Sequence, residues 1–298
     1  MIQVQKSYTM LRRQMLGCAI VLGTLFVLLL VAVGVMHHHT SLQGSGSSLL
    51  RTDVALLLAY GIAGVVVLKQ RSCNANTAAI VGAQIGLLLG AVGIANHLIE
   101  AFVPIRPFVL IIAPVLLTLA LLGAAGAVAW ERTGSLFLAV CGGVWCAIVA
   151  TLITLCFAIS FNLLFAARVD WQLREAFAAS GMSDPGGFRV KNILEASSEI
   201  LVRMPLLAIC LAFAGAVIHA WMSRESRRML VVSAGFLAPL LFVVGASALW
   251  HANAIERAAR PPFVMSGVLL TGVALCAAYP IWSVLHVSRG RSRDAVKS

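Results

Sequence analysis

His97 and Glu100 are the ionisable residues whose spacing first suggests chemistry. They stand one helical turn apart in the stretch GIANHLIEAFVPIRPFV (93–109), which lies between two long apolar runs. Together they could supply two ligands to a metal, form a structural ion pair with Arg106, or belong to a polar vestibule. One His-x-x-Glu motif supplies only two ligands, whereas a metal site in a helical bundle needs matching sets from several helices. We therefore predict no metal site here.

Small residues precede this pair at helical spacing. Three of them recur every fourth residue and the last follows after three, which makes a double small-xxx-small pattern that lets a second helix approach closely in a membrane. The predicted helix-packing face consists of Gly82, Gly86, Gly90 and Gly93. Further steps of three or four residues along the same face reach His97 and Glu100, so we expect both side chains to project toward protein rather than toward lipid.

The chain around these residues has the composition of a membrane protein. Of its 298 residues, 60% are hydrophobic and 11% are charged, whereas soluble domains are about 45–50% apolar. Apolar runs of about 20 residues cross a bilayer as helices, because in lipid the backbone must satisfy its own hydrogen bonds. The predicted fold is therefore all-α, a polytopic membrane protein with eight transmembrane helices. These spans are 16–36, 53–68, 77–97, 107–129, 135–162, 205–222, 229–250 and 263–286.

The basic residues predict the orientation of these spans. In an eight-span chain, the side that holds both termini carries 13 of the 22 Lys and Arg residues and only 3 acids. The positive-inside rule then places both termini in the cytoplasm, and we predict a multi-pass protein of a bacterial-type inner membrane. The net charge of +11 reflects this topology and implies no nucleic-acid partner.

Short sequence matches recur in the same order along the two halves of the chain. CAIV occurs at 18–21 and 146–149, and RPFV at 106–109 is echoed by RPPFV at 260–264. Such matches in conserved order predict a parallel 4+4 repeat, with four-helix units at 1–132 and 133–298 related by an axis along the membrane normal.

The duplication extends the polar group around His97. The seventh span ends in LWHANAIERAARPPF, and the repeat brings this end close to the corresponding end of the third span. We predict an outer polar vestibule formed by His97, Glu100, Arg106, His251, Glu256 and Arg260. This vestibule is the functional interpretation; for His97 and Glu100 the interpretation we prefer is a structural polar cluster at the interface, with Glu100 paired with Arg106 or with an arginine of the opposite half.

One polar segment interrupts the spans. Residues 163–204 contain two amphipathic stretches separated by the turn SDPGG (183–187). We predict an extracytoplasmic helical hairpin that either caps the bundle or lies on the bilayer surface.

Histidines near the span ends raise an alternative function. Paired histidines at one depth can hold haem through two axial ligands; His97 and His251 lie near the outer ends, and His219 and His286 near the inner ends. The helix count and the duplication are similar to those of the haem A synthase family, although no motif of that family occurs and no residue role is carried over. This resemblance implies a haem- or quinone-binding redox protein, whereas interfacial histidines without a cofactor are the interpretation we prefer.

The leading prediction is a non-enzymatic membrane protein. The sequence contains no Walker loop, nucleophile elbow, intramembrane aspartate pair or metalloprotease helix. We expect either a transporter-like bundle or a scaffold subunit of a membrane complex, in contact with lipid and with other membrane proteins or further copies of the chain. No acid falls deep inside a predicted span, which argues against a proton-driven carrier with a midplane carboxylate.

Overall fold

A computed structural model describes residues 2–42, 45–70, 72–103 and 108–222, without the side chains of 2–10 and 12. In these ranges the chain forms eight α-helices and a short 3-10 turn, and no strand. The α-helices are α1 (Ile2–His37), α2 (Gly46–Lys69), α3 (Cys73–Phe102), α4 (Phe108–Thr133), α5 (Leu136–Leu164), α6 (Ala166–Gln172), α7 (Arg174–Ser180) and α8 (Pro185–Met222). The predicted all-α class is confirmed for this part of the chain.

Six of these helices are long and apolar enough to cross a membrane: α1 from Arg13 onward, α2, α3, α4, α5 and α8. They correspond to the first six predicted spans and are compatible with an integral, multi-pass membrane protein. The seventh and eighth predicted spans, 229–250 and 263–286, lie outside the described residues, so the count of eight stays a prediction.

Helix α5 occupies the centre of the packing. It packs against α1, α3 and α4, and every residue from Cys146 to Leu152 is buried. A membrane helix that is apolar on all sides gains nothing by facing lipid rather than protein, and here it is surrounded by other helices.

The early starts of α2 and α8, relative to the spans predicted for them, change which residues enter the bundle. Helix α2 begins at Gly46, about two turns before the predicted start at residue 53. Helix α8 begins at Pro185 and runs unbroken to Met222, whereas the prediction separated a hairpin arm ending at 204 from a span beginning at 205. The reason is packing: the apolar stripe of the supposed arm, Val190 to Leu201, belongs to one core with α1, α2 and α5.

Contacts between helix ends show which ends lie together at each end of the bundle. The Arg13 guanidinium donates to the Gln70 carbonyl oxygen, which joins the beginning of the apolar part of α1 to the end of α2. His38 and Asp184 join the end of α1 to the start of α8, and contacts described below join α6 to both α3 and α8. We call these two ends of the bundle the Arg13 end and the His38 end.

The chain divides into two compact units, residues 1–216 and 217–298, and the contacts described here belong to the first. This division reflects compactness rather than duplication. The repeat of units 1–132 and 133–298 and the extracytoplasmic position of 163–204 therefore stay predictions.

Candidate functional site

The glycines of the predicted packing face lie against α5. They are Gly82, Gly86, Gly90 and Gly93. A β-carbon at Gly86 would lie 2.6 Å from the Cys146 carbonyl oxygen, and one at Gly90 would lie 2.9 Å from the Ile153 β-carbon. Because both distances are shorter than ordinary packing contacts, the α3 and α5 backbones can approach this closely only where α3 carries no side chain.

His97 continues this face one to two turns further along α3. Its ring is half-buried and meets two α5 rings edge-on, with centroid distances of 5.9 Å to Phe157 and 5.3 Å to Phe161. Perpendicular aromatic contacts of this kind are favourable because the ring edge of one partner meets the electron-rich face of the other. The His97 side chain therefore lies between helices, as part of the packing of α3 on α5.

Glu100 has an exposed side chain, but its backbone takes part in a helix cap. The Gln172 amide nitrogen lies 3.0 Å from the carbonyl oxygens of both Glu100 and Ala101, and Arg168 Nε donates to Ala101 at 3.0 Å. The last carbonyls of a helix lack intrahelical partners, and a cation there meets the negative end of the helix dipole. The Arg168 guanidinium also stacks over the Trp171 ring at 4.7 Å, so α6 both covers and caps the end of α3.

The other residues of the predicted vestibule lie outside the described residues. They are Arg106, His251, Glu256 and Arg260. The structure therefore brings His97 and Glu100 to one end of α3, and the vestibule itself stays a prediction.

A buried acid inside the bundle is the polar feature that the sequence analysis missed. Asp53 of α2 is fully buried, and one of its carboxylate oxygens, Oδ2, is hydrogen-bonded to the Ser197 hydroxyl of α8. The second oxygen, Oδ1, is buried with no hydrogen-bond partner among the described residues. We call this pair the interior polar contact.

Tyr60 lies two turns further along the same face of α2 and also bonds to α8. Its buried hydroxyl donates to the Leu201 carbonyl oxygen at 3.0 Å. In a regular helix that carbonyl would accept from the residue four positions later, but Pro205 stands there and has no N–H. Tyr60 therefore supplies the hydrogen bond that the proline removes.

The sequence did not predict the interior polar contact because the apolar pattern places the start of the second span at residue 53, whereas α2 begins at Gly46. A helix starting at residue 53 leaves Asp53 at a wet end, whereas a helix starting at Gly46 carries it into the bundle. The sequence did hold a clue to its burial, because Asp53 stands at helical spacing from the apolar and small residues that follow it on one face of α2. The structure shows that the positions on this face are buried. These positions are Gly46, Asp53, Leu57, Tyr60, Gly64 and Val67.

A second polar cluster, at the His38 end, ties the first loop to α8. Asp184 Oδ2 accepts from the Thr40 hydroxyl at 2.6 Å and lies 3.5 Å from His38 Nδ1, while its Oδ1 accepts from the Gly186 N–H at 2.9 Å. We call these residues the Asp184 latch. The Thr40 hydrogen bond, the amides of Gly186 and Gly187 and the neighbouring His38 together lower the pKa of the Asp184 carboxyl.

The Asp184 latch depends on two glycines that begin α8. A β-carbon at Gly186 would collide with the His38 ring, and one at Gly187 would collide with the Thr40 hydroxyl. The SDPGG segment is therefore more than a turn, because its glycines allow the loop after α1 to lie directly on the start of α8.

Arg189 anchors α6 on α8 close to the latch. Its guanidinium is buried and lies 2.5 Å from the Asp170 carboxylate. A buried cation needs such a partner, since an unpaired charge would carry the full cost of desolvation.

No protein-family model, curated protein or solved structure matches this chain. Within the described ranges, no group of three or more His, Cys, Asp and Glu side chains is arranged to hold a metal ion.

Proposed function

We propose that this chain is a non-enzymatic, multi-pass protein of a bacterial-type inner membrane that works as a small transporter-like bundle. The observation that carries the transport role is the interior polar contact of Asp53 and Ser197. Ionisable groups inside transmembrane bundles are costly, and where they occur they mark substrate or ion pathways. A bundle that served only to hold other proteins would be more stable with an apolar side chain at this position.

The proposed topology has eight spans, a parallel 4+4 repeat and both termini in the cytoplasm. It is supported by the six long apolar helices, by the two further apolar runs at 229–250 and 263–286, and by the concentration of basic residues on one side. The Arg13 end would then face the cytoplasm, and the Asp184 latch would face the opposite side.

Currents from reconstituted protein test the transport role. Vesicles containing the full chain, adsorbed on a solid-supported membrane, are exposed to steps in pH, Na⁺, K⁺, amino acids and sugars. We expect at least one step to evoke a current that Asp53→Asn abolishes. The matched control, Glu195→Gln, changes an exposed acid on α8 and should keep that current. Vesicles without a protein-dependent current for any step would contradict transport.

A scaffold subunit of a membrane complex is the second candidate. The observation that favours it is α4, the least buried of the six long helices, which leaves an apolar face for lipid, a partner protein or a second copy. If this role is correct, the protein purified in mild detergent at native expression should migrate as a complex larger than one chain, and it should give no solute-evoked current.

A haem- or quinone-binding redox protein remains the alternative from another class. His97 belongs to an aromatic cluster with Phe157 and Phe161, and its proposed counterpart His251 lies outside the described residues. The visible absorption spectrum of the purified protein separates this alternative from the others. A Soret band would favour haem over transport, and we expect none.

A further inference from the structure

We propose that the interior polar contact is a proton-binding site, in which Asp53 carries a proton while α2 and α8 are packed together. This inference deepens the transport role proposed above and rests on it for its biological meaning. Its chemistry stands on four groups: the two Asp53 oxygens, the Ser197 hydroxyl and the Leu194 carbonyl.

The first argument is a count of hydrogens. Ser197 Oγ is within hydrogen-bonding reach of two acceptors, Asp53 Oδ2 and the Leu194 carbonyl oxygen, the latter at 3.1 Å. A hydroxyl has one hydrogen to donate. If Asp53 is ionised, Ser197 can therefore satisfy only one of these two contacts.

Protonation of Asp53 resolves this shortage. With the proton on Oδ2, the Asp53 carboxyl O–H donates to Ser197 Oγ, and the Ser197 O–H donates to the Leu194 carbonyl. Each hydrogen then has an acceptor, the chain of bonds runs in one direction, and the cooperative polarisation of such chains favours it.

The second argument is that the part of the chain described by the structure offers Asp53 no buried cation as a partner. Among the described residues, the buried charged side chains are Asp53 and Arg189, and Arg189 is paired with Asp170. The other buried polar groups in this core are neutral: Thr24 from α1, Tyr60 from α2, Thr151 from α5 and Ser197 from α8. The remaining acids of this part of α8, Glu195 and Glu199, are exposed.

A buried carboxylate with no buried cation beside it and one oxygen without a partner, as Asp53 is within the described ranges, is costly, and the usual outcome in such surroundings is the neutral acid. A metal cation is a poorer occupant, because Na⁺ or Ca²⁺ needs about six oxygens and the two side chains of the interior polar contact supply three.

The proton exchange follows directly. A proton from water forms the O–H bond on Asp53 when the site is open, and the neutral carboxyl then lets α2 and α8 close without burying a charge. Separation of α2 from α8 admits water, the O–H bond breaks and the proton leaves to solvent, so the carboxylate is restored. No oxidant, reductant or second substrate takes part.

Infrared spectroscopy of the reconstituted full chain tests this site. Protonated carboxylic acids give a C=O stretching band that carboxylates lack. At neutral pH we expect this band in the wild type, its loss in Asp53→Asn and its retention in Glu195→Gln. Absence of the band from the wild type, or its persistence in Asp53→Asn, would overturn the proposal.

A second measurement, the melting temperature, shows whether Asp53→Asn folds like the wild type. Because Asn resembles the neutral acid in shape and charge, the melting temperature of Asp53→Asn at neutral pH should equal that of the wild type. If Asp53→Asn fails to fold, the wild-type band decides alone: it must be present at neutral pH and disappear when the pH is raised, and a band that does not titrate overturns the proposal.

The two proposals fail separately. A protonated Asp53 in a protein that gives no solute-evoked current would remove the transport role and keep the proton site. Currents from a protein without the carboxylic acid band would keep transport and remove the proton site.

Discussion

At the scale of single residues, the described unit uses side chains to complete hydrogen bonds that its helices leave open. Tyr60 donates a hydrogen bond to the Leu201 carbonyl, and Arg168 and Gln172 donate to the last carbonyls of α3. Asp184 accepts from the first amides of α8. Leu201 is buried, so without Tyr60 its carbonyl would have no partner, at a cost of about 1–3 kcal/mol, whereas the end of α3 and the start of α8 lie at the His38 end of the bundle.

The Tyr60 hydroxyl offers a prediction with an internal control. Tyr60→Phe leaves the buried Leu201 carbonyl unpaired, so we expect a loss of about 1–3 kcal/mol of unfolding free energy in detergent. In a Pro205→Ala background the new N–H can take that carbonyl, and Tyr60→Phe should then cost much less. Equal costs in the two backgrounds would show that Tyr60 does not replace the bond that Pro205 removes.

The Asp184 latch gives a second prediction at this scale. Asp184→Ala removes the acceptor for Thr40 and for the Gly186 N–H, and loss of such a cap costs about 0.5–2 kcal/mol. Ser183→Ala, at an exposed neighbouring position, is the matched control and should leave the unfolding free energy unchanged.

The pH dependence of this effect has a defined sign. Because the pKa of Asp184 is lowered in the folded protein, its contribution is fully present above the unfolded value of about 3.9 and disappears as the pH falls through the lower folded value. The gap between wild type and Asp184→Ala should therefore close in acid. A gap that widens as the pH falls would contradict the latch geometry.

At the scale of helices, small residues determine which elements can touch. The α3–α5 seam uses the four glycines described above, and a similar seam joins α4 to α8, where a β-carbon at Gly126 would collide with the Ala212 backbone. Lipid competes equally well for apolar side chains, so close backbone approach is what distinguishes one helix partner from another.

A substitution on the α3 seam tests this packing. Gly86→Leu must push the α3 and α5 backbones apart, and we expect it to lower the unfolding free energy by about 1–3 kcal/mol. Ala91→Leu places the same side chain at an exposed position of the same helix and should be close to neutral. The comparison is made by thermal unfolding in one detergent, and similar losses for both variants would argue against a specific seam.

At the scale of the whole molecule, the topology decides what each cluster faces. We predict that single cysteines at Ser47 and Ser183, both exposed, react with membrane-impermeant reagents applied from outside the cell, in a background whose native cysteines are replaced. The native Cys73, exposed at the first residue of α3, should react only after permeabilisation. A cysteine at Gly186 would be unsuitable for this labelling because a side chain there would strike His38.

Ser226 tests the same topology beyond the described residues. It follows the sixth span, and a cysteine there should be labelled only from the cytoplasmic side. Labelling of Ser226 from outside, or of Cys73 without permeabilisation, would overturn the eight-span arrangement.

The helical class, the approximate positions of the six long helices and the glycine pattern of α3 could all be predicted from the amino-acid sequence alone. These are local properties, because a run of apolar residues must form a helix in lipid whatever it packs against. The same reasoning could list His97 and Glu100 as candidates, since both stand out within a single stretch of sequence.

The pairing of buried polar groups, in contrast, follows from the three-dimensional packing and could not be predicted from the sequence. Asp53 and Ser197 are 144 residues apart, and Tyr60 and Leu201 are 141 apart, so no local pattern relates them. Their burial depends on α8 continuing through residue 204 to pack along α2, and that continuation depends on the partner face rather than on the α8 sequence alone. The energy of a buried polar group is set by what lies opposite it, and in this bundle that neighbour comes from a distant helix.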